Sequence, residues 1–330
     1  MPEAAAIAGS RALVTGGAGF IGSHLVDALL ASGVSRIHVV DDLSLGREAN
    51  LAAALAHPEV EFTVGDAAEI ELLERICAAE GPFDHCYNLA VIPLPHSLVH
   101  PRENVDRNVA MTTAVCEIGR SGAYRRLVQL SSSEVFGTAL SAPMDEDHPL
   151  HPHTPYAAAK AATDLTALSY ATTFGLETVV VRPFNTYGER QNDGAYAGLI
   201  PAVVTAVLAG EPITIDGDGE QTRDMAYVSD TVSGIVLAAS TPEVSGESFN
   251  LGAGEEASVN ELVRLLLEAL ERPDHPVVHG PPRPGDVRRL LADTRRARAR
   301  LGYTPAMDLG EGLRRTVAWY LERAATPDPR

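Results

Sequence analysis

Tyr156 and Lys160 stand four positions apart in the stretch PYAAAK, so a helix would carry them on one face. A phenol with a cation one turn away can take a proton from an alcohol, because the positive charge favours a phenolate whose free pKa is about 10. Upstream, TGGAGFIG sets Gly16, Gly19 and Gly22 in a GxxGxxG turn. Glycines there let the chain turn tightly, let the backbone approach a pyrophosphate, and let the following helix pack on the preceding strand. The free amides of that helix then face the phosphates. A hydroxyl is supplied before the pair by Ser131, Ser132 and Ser133. Together these groups predict an enzyme that oxidises a hydroxyl by passing hydride to a nicotinamide.

Around these groups, the first half of the chain alternates short apolar runs with amphipathic stretches that must hold them in place. Residues 12–14, 37–40, 62–64, 87–89, 127–130 and 178–181 read as strands, and 22–32 as a helix. Strands alternating with helices imply an α/β fold: a Rossmann-type, doubly wound parallel sheet with ligands beyond the carboxyl ends of its strands. Asp41 lies 19 residues after Gly22, at the end of the second strand, where a carboxylate binds ribose hydroxyls and repels a 2′-phosphate. This favours NAD over NADP, although Arg47 nearby weakens the preference. Asp66, after the third strand, is placed to accept from the adenine amine.

After Pro183 the texture changes. Residues 188–197 are polar and loop-like, 199–208 form an apolar helix, and 281–285 (PPRPG) form a stiff loop before two final helical segments. The expected division is an NAD-binding domain over 1–183 and a smaller α/β nucleotide-sugar-binding domain over 184–330, with about 225–250 returning to the first. The last residues, ATPDPR, read as disordered.

Composition narrows the function. The 330 residues are 45% hydrophobic and 21% charged, ordinary for a soluble globular protein. A formal net charge of -18 argues against a nucleic-acid partner, since phosphate backbones need a basic face. Cys77, Cys86 and Cys116 form no CxxC pair and no disulfide framework. Neither a signal peptide nor a membrane-spanning stretch is legible, so a cytoplasmic enzyme is expected. His148, His151 and His153 fit no zinc spacing and read as a solvated, proline-stiffened loop, so no metal is expected.

With TGGAGFIGSHL, DDLS, NLA, SSSEVFG, PYAAAK, RPFNTYG, GDGEQTRDMAYVSD and RPGD in order, the sequence resembles the extended short-chain dehydrogenase/reductase family over nearly its whole length. It is most similar to the nucleotide-sugar epimerases, decarboxylases and dehydratases, and among them to UDP-glucuronic acid 4-epimerases. The resemblance implies tightly held NAD, a UDP- or dTDP-sugar, oxidation at C4 of the sugar, and a homodimer through helices near 104–119 and 156–173.

Carried to this chain, the resemblance makes Tyr156 the base, Lys160 the group that binds the nicotinamide ribose and tunes Tyr156, and Ser132 the hydroxyl on the sugar O4. The expected cofactor contacts are Gly16, Gly19, Phe20, Ile21 and Gly22 in the turn, then Asp41, Asp42, Asp66 and Ala67 after the next strands. Leu89, Ala90, Asn108, Tyr156, Lys160 and Pro183 complete them. For the substrate, Ser132, Ser133 and Asn185 meet the sugar, while Arg223 and Arg283 hold the diphosphate with forked guanidinium groups. Leu199, Ile200, Ile213 and Ile215 flank the uracil. From its own place after NLAV at the mouth of the sheet, the segment 92–100 is expected to line the sugar pocket.

The outcome after oxidation rests on few residues. A 4,6-dehydratase of the usual kind pairs Asp with Glu after the catalytic hydroxyl; here those places hold Ser133 and Glu134, and serine is a poor general acid. Glu134 suits a decarboxylase, or serves as a carboxylate that orders its loop. Arg190, in YGERQ, would pair with the C6 carboxylate of a uronic acid, or brace its own loop. The expected reaction is 4-epimerisation of a UDP-sugar, foremost UDP-glucuronate, with decarboxylation second and 4,6-dehydration third. A non-catalytic NAD-binding regulator is the reading from another class; such proteins lose one of Ser132, Tyr156 and Lys160, and this chain keeps all three.

Overall fold

The computed structural model describes residues 7–194 and 196–325; the tail beyond Ala325, read from sequence as disordered, lies outside them. Seven parallel strands form the main sheet in the order β10-β6-β5-β4-β1-β2-β3. They are β1 (Arg11–Thr15), β2 (Arg36–Asp41), β3 (Val60–Val64), β4 (Phe83–Asn88), β5 (Tyr124–Leu130), β6 (Glu177–Pro183) and β10 (Ser248–Leu251). Runs such as RIHVVD and ETVVVRP are buried almost continuously rather than alternately, as strands covered on both faces must be. Each expected strand is found, with its ends shifted by a few residues.

The covering helices include α1 (Phe20–Ala31), α2 (Ile70–Glu80), α3 (Pro101–Arg120) and α4 (Pro155–Phe174). A Thr154 side chain caps α4, accepting from Ala157 N at 3.2 Å, and Pro155 occupies its first turn. That cap fixes where the helix begins and hence where Tyr156 lies, one residue inside it.

The chain runs outward through β1, β2 and β3, then returns to continue through β4, β5 and β6 on the other side of β1. A crevice therefore opens at the carboxyl ends of β1 and β4. Side chains lock those ends together: Thr15 Oγ1 donates to Asn88 Oδ1 at 2.6 Å, and Asn88 Nδ2 donates to Gln129 Oε1 at 2.7 Å. All three residues are buried, so this polar ladder sets the strand ends rather than meeting a ligand.

Two small sheets face the crevice. One comprises β7 (Asn185–Tyr187), β9 (Thr222–Tyr227), β11 (Glu256–Ser258) and β13 (Arg289–Leu290). The other pairs β8 (Ile213–Asp216) with β12 (Val277–Gly280). Helix α5 (Leu199–Ala209) stands beside them, followed by α6 (Val228–Ser240), α7 (Val259–Ala269) and the final helix α8 (Leu309–Ala325). Between β9 and β10 the chain crosses from the small sheet to the main one, where Ser248–Leu251 pairs with 180–183.

One loop differs from its sequence reading. His148 is buried, not solvated: its Nε2 accepts from Leu140 N at 3.1 Å and its ring meets the edge of Phe136. Periodicity gives no signal for a histidine buried by a loop folding over a 3₁₀ turn, Ser133–Phe136. No helix among the described residues is long and apolar enough to cross a membrane.

Candidate active site

A cavity of about 660 Å³ runs along the crevice, from the glycine turn past the start of α4 to the small sheets. At its first end Gly16 adopts φ +71°, and a Cβ there would meet Ala90 N at 2.6 Å. The turn thus lies directly against the backbone after β4, which only glycine allows. A Cβ on Gly22 would collide with the Gly16 carbonyl, so the helix, too, needs glycine to close on the turn. Helix α1 has no side-chain cap and no acid in its first turn. Its first amides are left for an anion, and Gly19, Phe20, Ile21 and Gly22 line the cavity there.

Asp41, Asp42, Asp66, Ala67, Leu89 and Ala90 line the same end. Asp41 Oδ2 accepts from Ala18 N at 3.0 Å and Oδ1 from Leu43 N at 2.9 Å, so this carboxylate also clamps the glycine turn. Burial pushes its pKa up, while those amides pull it back. A glycine turn, an open helix end and a carboxylate at the end of β2 fit a dinucleotide with free ribose hydroxyls. Arg47, the one hint toward a 2′-phosphate, is engaged elsewhere: its Nη2 lies 2.6 Å from Asp193 Oδ1.

In the middle of the cavity sit Ser132, Glu134 and Tyr156. Burial pushes the Tyr156 phenol up to about 12, and the neighbouring Ser132 hydroxyl pulls the other way. Lys160 is buried beneath, its Nζ donating to the Leu130 carbonyl at 2.6 Å. Burial holds its pKa down to about 8, opposed by the charge of Asp164. One turn further along α4, fully buried Asp164 accepts from Arg182 Nε at 2.9 Å, and Arg182 stacks over Phe136. Asp164 and Arg182 went unread in the sequence; the YxxxKxxxD spacing on one helix face was the available signal. Ser132 Oγ accepts from Glu134 N at 3.2 Å, which turns Glu134 into the cavity and Ser133 into the core. Burial raises the pKa of Glu134 against the nearby Arg223 and Arg283.

At the far end Arg223 and Arg283 line the cavity together. Both reach Asp286 Oδ1, at 2.8 and 3.0 Å, and Arg223 Nη1 donates to Val287 O at 2.6 Å. Asp286, the last residue of the RPGD stretch and not singled out by its type, holds this pair. Asn185 contributes a buried Oδ1 without a protein partner, and Leu199, Ile200 and Ile215 line the wall. Ile92, Pro93, Leu94 and Pro95, from the segment expected at the sugar pocket, are also lining.

Several expected contacts are not at the cavity surface. Asn108 is buried on α3, accepting from Ile92 N at 3.0 Å and donating to Ile92 O at 3.1 Å, so it braces the loop after β4. Ser133, Ile213 and Pro183 are turned inward as well. Ile213 shares its inward face with Ile215, and the cavity reaches only the second. Lys160 lies beneath the lining rather than in it. Arg190 lines the cavity with φ +63°, but its Nη1 lies 2.8 Å from Asp27 Oδ2, an ion pair that ties its loop to α1.

The chain matches the family described as GDP-mannose 4,6 dehydratase over residues 13–316. It is 38% identical over 316 residues to the UDP-glucose 4-epimerase of Mycolicibacterium smegmatis, covering 95% of this chain and 99% of that one. To the dTDP-glucose 4,6-dehydratase of an Actinoplanes species it is 37% identical over 317 residues, covering 94% and 97%. Among solved structures, the dTDP-glucose 4,6-dehydratase of Streptomyces venezuelae with NAD bound superposes with a TM-score of 0.90 at 34% identity, covering 96% of this chain and 98% of that one.

Proposed function

This chain belongs to the GDP-mannose 4,6-dehydratase type of the extended short-chain dehydrogenase/reductase family, whose members are nucleotide-sugar epimerases and dehydratases, and on that footing we propose that it is an NAD-dependent UDP-sugar 4-epimerase. NAD is its cofactor, and when bound it supplies the acceptor and donor of the C4 hydride. The observation that carries the reading is the turn at Ser132: the position of a dehydratase acid holds Ser133, which faces the core, while Ser132 and Tyr156 face the cavity.

Tyr156 takes the O4 proton and Ser132 holds O4 while the 4-keto sugar forms. Arg223 and Arg283 retain the diphosphate, about which the sugar rotates. The rotation turns the opposite face of C4 toward the hydride that the bound cofactor would supply, and Tyr156 returns the proton to O4, which completes the inversion with no change in mass. A phenol pushed up to about 12 stays protonated near neutral pH; the cationic ring of the bound cofactor, together with the Lys160 charge, would lower it into range.

UDP-glucuronate is the substrate put first. Arg190 is the lining cation that would receive its C6 carboxylate, and this requires exchanging Asp27 for the substrate. A second reading, loss of CO₂ or water, draws on Glu134, a cavity carboxyl whose proton affinity burial has raised. Mass-resolved chromatography after incubation with UDP-glucuronate, UDP-glucose and UDP-N-acetylglucosamine separates the readings. A new peak of unchanged mass is expected; loss of CO₂ or water would replace the epimerase by the second reading. We assign homodimerisation to the α3–α4 face, where Leu165 and Phe174 are exposed; a monomer by sedimentation would remove that assignment.

A further inference from the structure

Arg107 lies on α3, one turn before Met111, and both side chains line the adenosine end of the cavity. Its Nη2 is 2.6 Å from Asp66 Oδ2 and 3.6 Å from Asp42 Oδ2. The other oxygen of each acid is also occupied: Asp66 Oδ1 accepts from Ala68 N at 2.9 Å, and Asp42 Oδ1 accepts from Ser44 N at 2.9 Å. Each carboxylate is therefore fixed to its own loop by one oxygen, while the other oxygen of Asp66 is hydrogen-bonded to Arg107 and that of Asp42 lies within ion-pair distance of it. These loops follow β2 and β3, the two strands beside which an adenosine must lie if its pyrophosphate sits on α1.

We propose that Arg107 is a cofactor-binding residue that closes the adenosine half of NAD into the cleft by laying its guanidinium plane on the adenine. A guanidinium held by two acids on neighbouring loops is oriented before the ligand arrives, and its flat face is weakly hydrated and stacks on aromatic rings. Three acids, Asp41, Asp42 and Asp66, converge at this end, and among the described lining residues Arg107 is the only arginine there. It offsets their charge beside a ligand that carries a pyrophosphate. The role revises the expectation for Asp66, whose carboxylate serves first to hold Arg107. It is independent of which reaction follows oxidation.

The test uses the full chain freed of nucleotide by dialysis, with binding followed by calorimetry. ADP-ribose carries the adenosine half of the cofactor, nicotinamide mononucleotide the other half, and UDP reports on the far end. Arg107→Leu is expected to weaken ADP-ribose about tenfold while leaving nicotinamide mononucleotide and UDP within about twofold. Arg107→Lys keeps the charge between Asp42 and Asp66 but lacks the planar face. It is expected to fold as the wild type does and still lose ADP-ribose affinity. Unchanged ADP-ribose binding in both variants overturns the proposal. So does an equal loss for all three ligands in Arg107→Lys, which would mark Arg107 as a brace of the fold.

Discussion

The two ends of the cleft offer an anion different kinds of donor. At the cofactor end the open donors are backbone amides at the start of α1, beside acids fixed at strand ends and the Arg107 that two of them hold. At the other end, proposed for the diphosphate, the donors are the side chains of Arg223 and Arg283, both set by Asp286. A backbone site is as rigid as the turn that makes it and suits a ligand that stays. A site of long side chains sharing one carboxylate can exchange that partner for phosphate oxygens, which suits a ligand that enters and leaves.

The most drastic variant acts where the two ends meet. Tyr156→Phe removes the proton acceptor and leaves both anion sites whole, so turnover is expected to fall about 10²- to 10⁴-fold with NAD still bound at purification. Retained turnover would end the mechanism, and loss of NAD would show that the two ends do not stand apart at this residue. Next in size is Asp164→Ala, which leaves Arg182 buried without its partner and is expected to cost about 3–5 kcal/mol, read by denaturant unfolding. A loss below about 1 kcal/mol would mean that solvent reaches Arg182 readily.

Arg283→Leu tests the contrast itself. Removing one charge-assisted contact is expected to weaken UDP by about 1.5–3 kcal/mol, with NAD unaffected, in calorimetry of both ligands. Equal losses for UDP and NAD would collapse the distinction between the ends. The smallest effect is a shift along the pH axis. Lys160, held down to about 8, sheds its proton as pH rises through that value, so kcat/KM is expected to fall on the alkaline side. Asp164 raises this pKa, and Asp164→Asn should move the limb to lower pH; a limb that stays in place would separate Asp164 from the Tyr156–Lys160 pair.

The same contrast explains what was legible in the sequence. The glycine turn restricts residue type through its backbone, so Gly16, Gly19, Gly22 and the carboxylate Asp41 could be read from residue type and spacing alone. Strands such as β2 and β6 were legible because burial on both faces leaves nearly unbroken apolar runs. Arg107, in contrast, is 41 positions from Asp66, and Arg223 is 63 from Asp286. No local pattern marks either partner, since exposed arginines and aspartates look the same until the fold brings them together. Asn108, expected at the cofactor, is buried on α3 with its hydrogen bonds to the loop after β4, a contact that residue type alone does not reveal. Arg190 is a cavity residue as expected, yet its ion pair with Asp27 joins helix to loop, a contact no spacing rule reveals.

The cavity-lining loop that contains Arg190 and Gln191 is held by the far end of the chain. Tyr320 on α8 donates to Gln191 O at 2.6 Å across 129 positions, and Arg323 lies 3.2 Å from Asp193. During synthesis the glycine turn and α4 leave the ribosome long before α8 exists. At ordinary translation rates the loop then waits on the order of ten seconds for its anchor. A nascent chain halted before Tyr320 would hold the glycine turn and its helix beside a cavity loop that still lacks its C-terminal anchor.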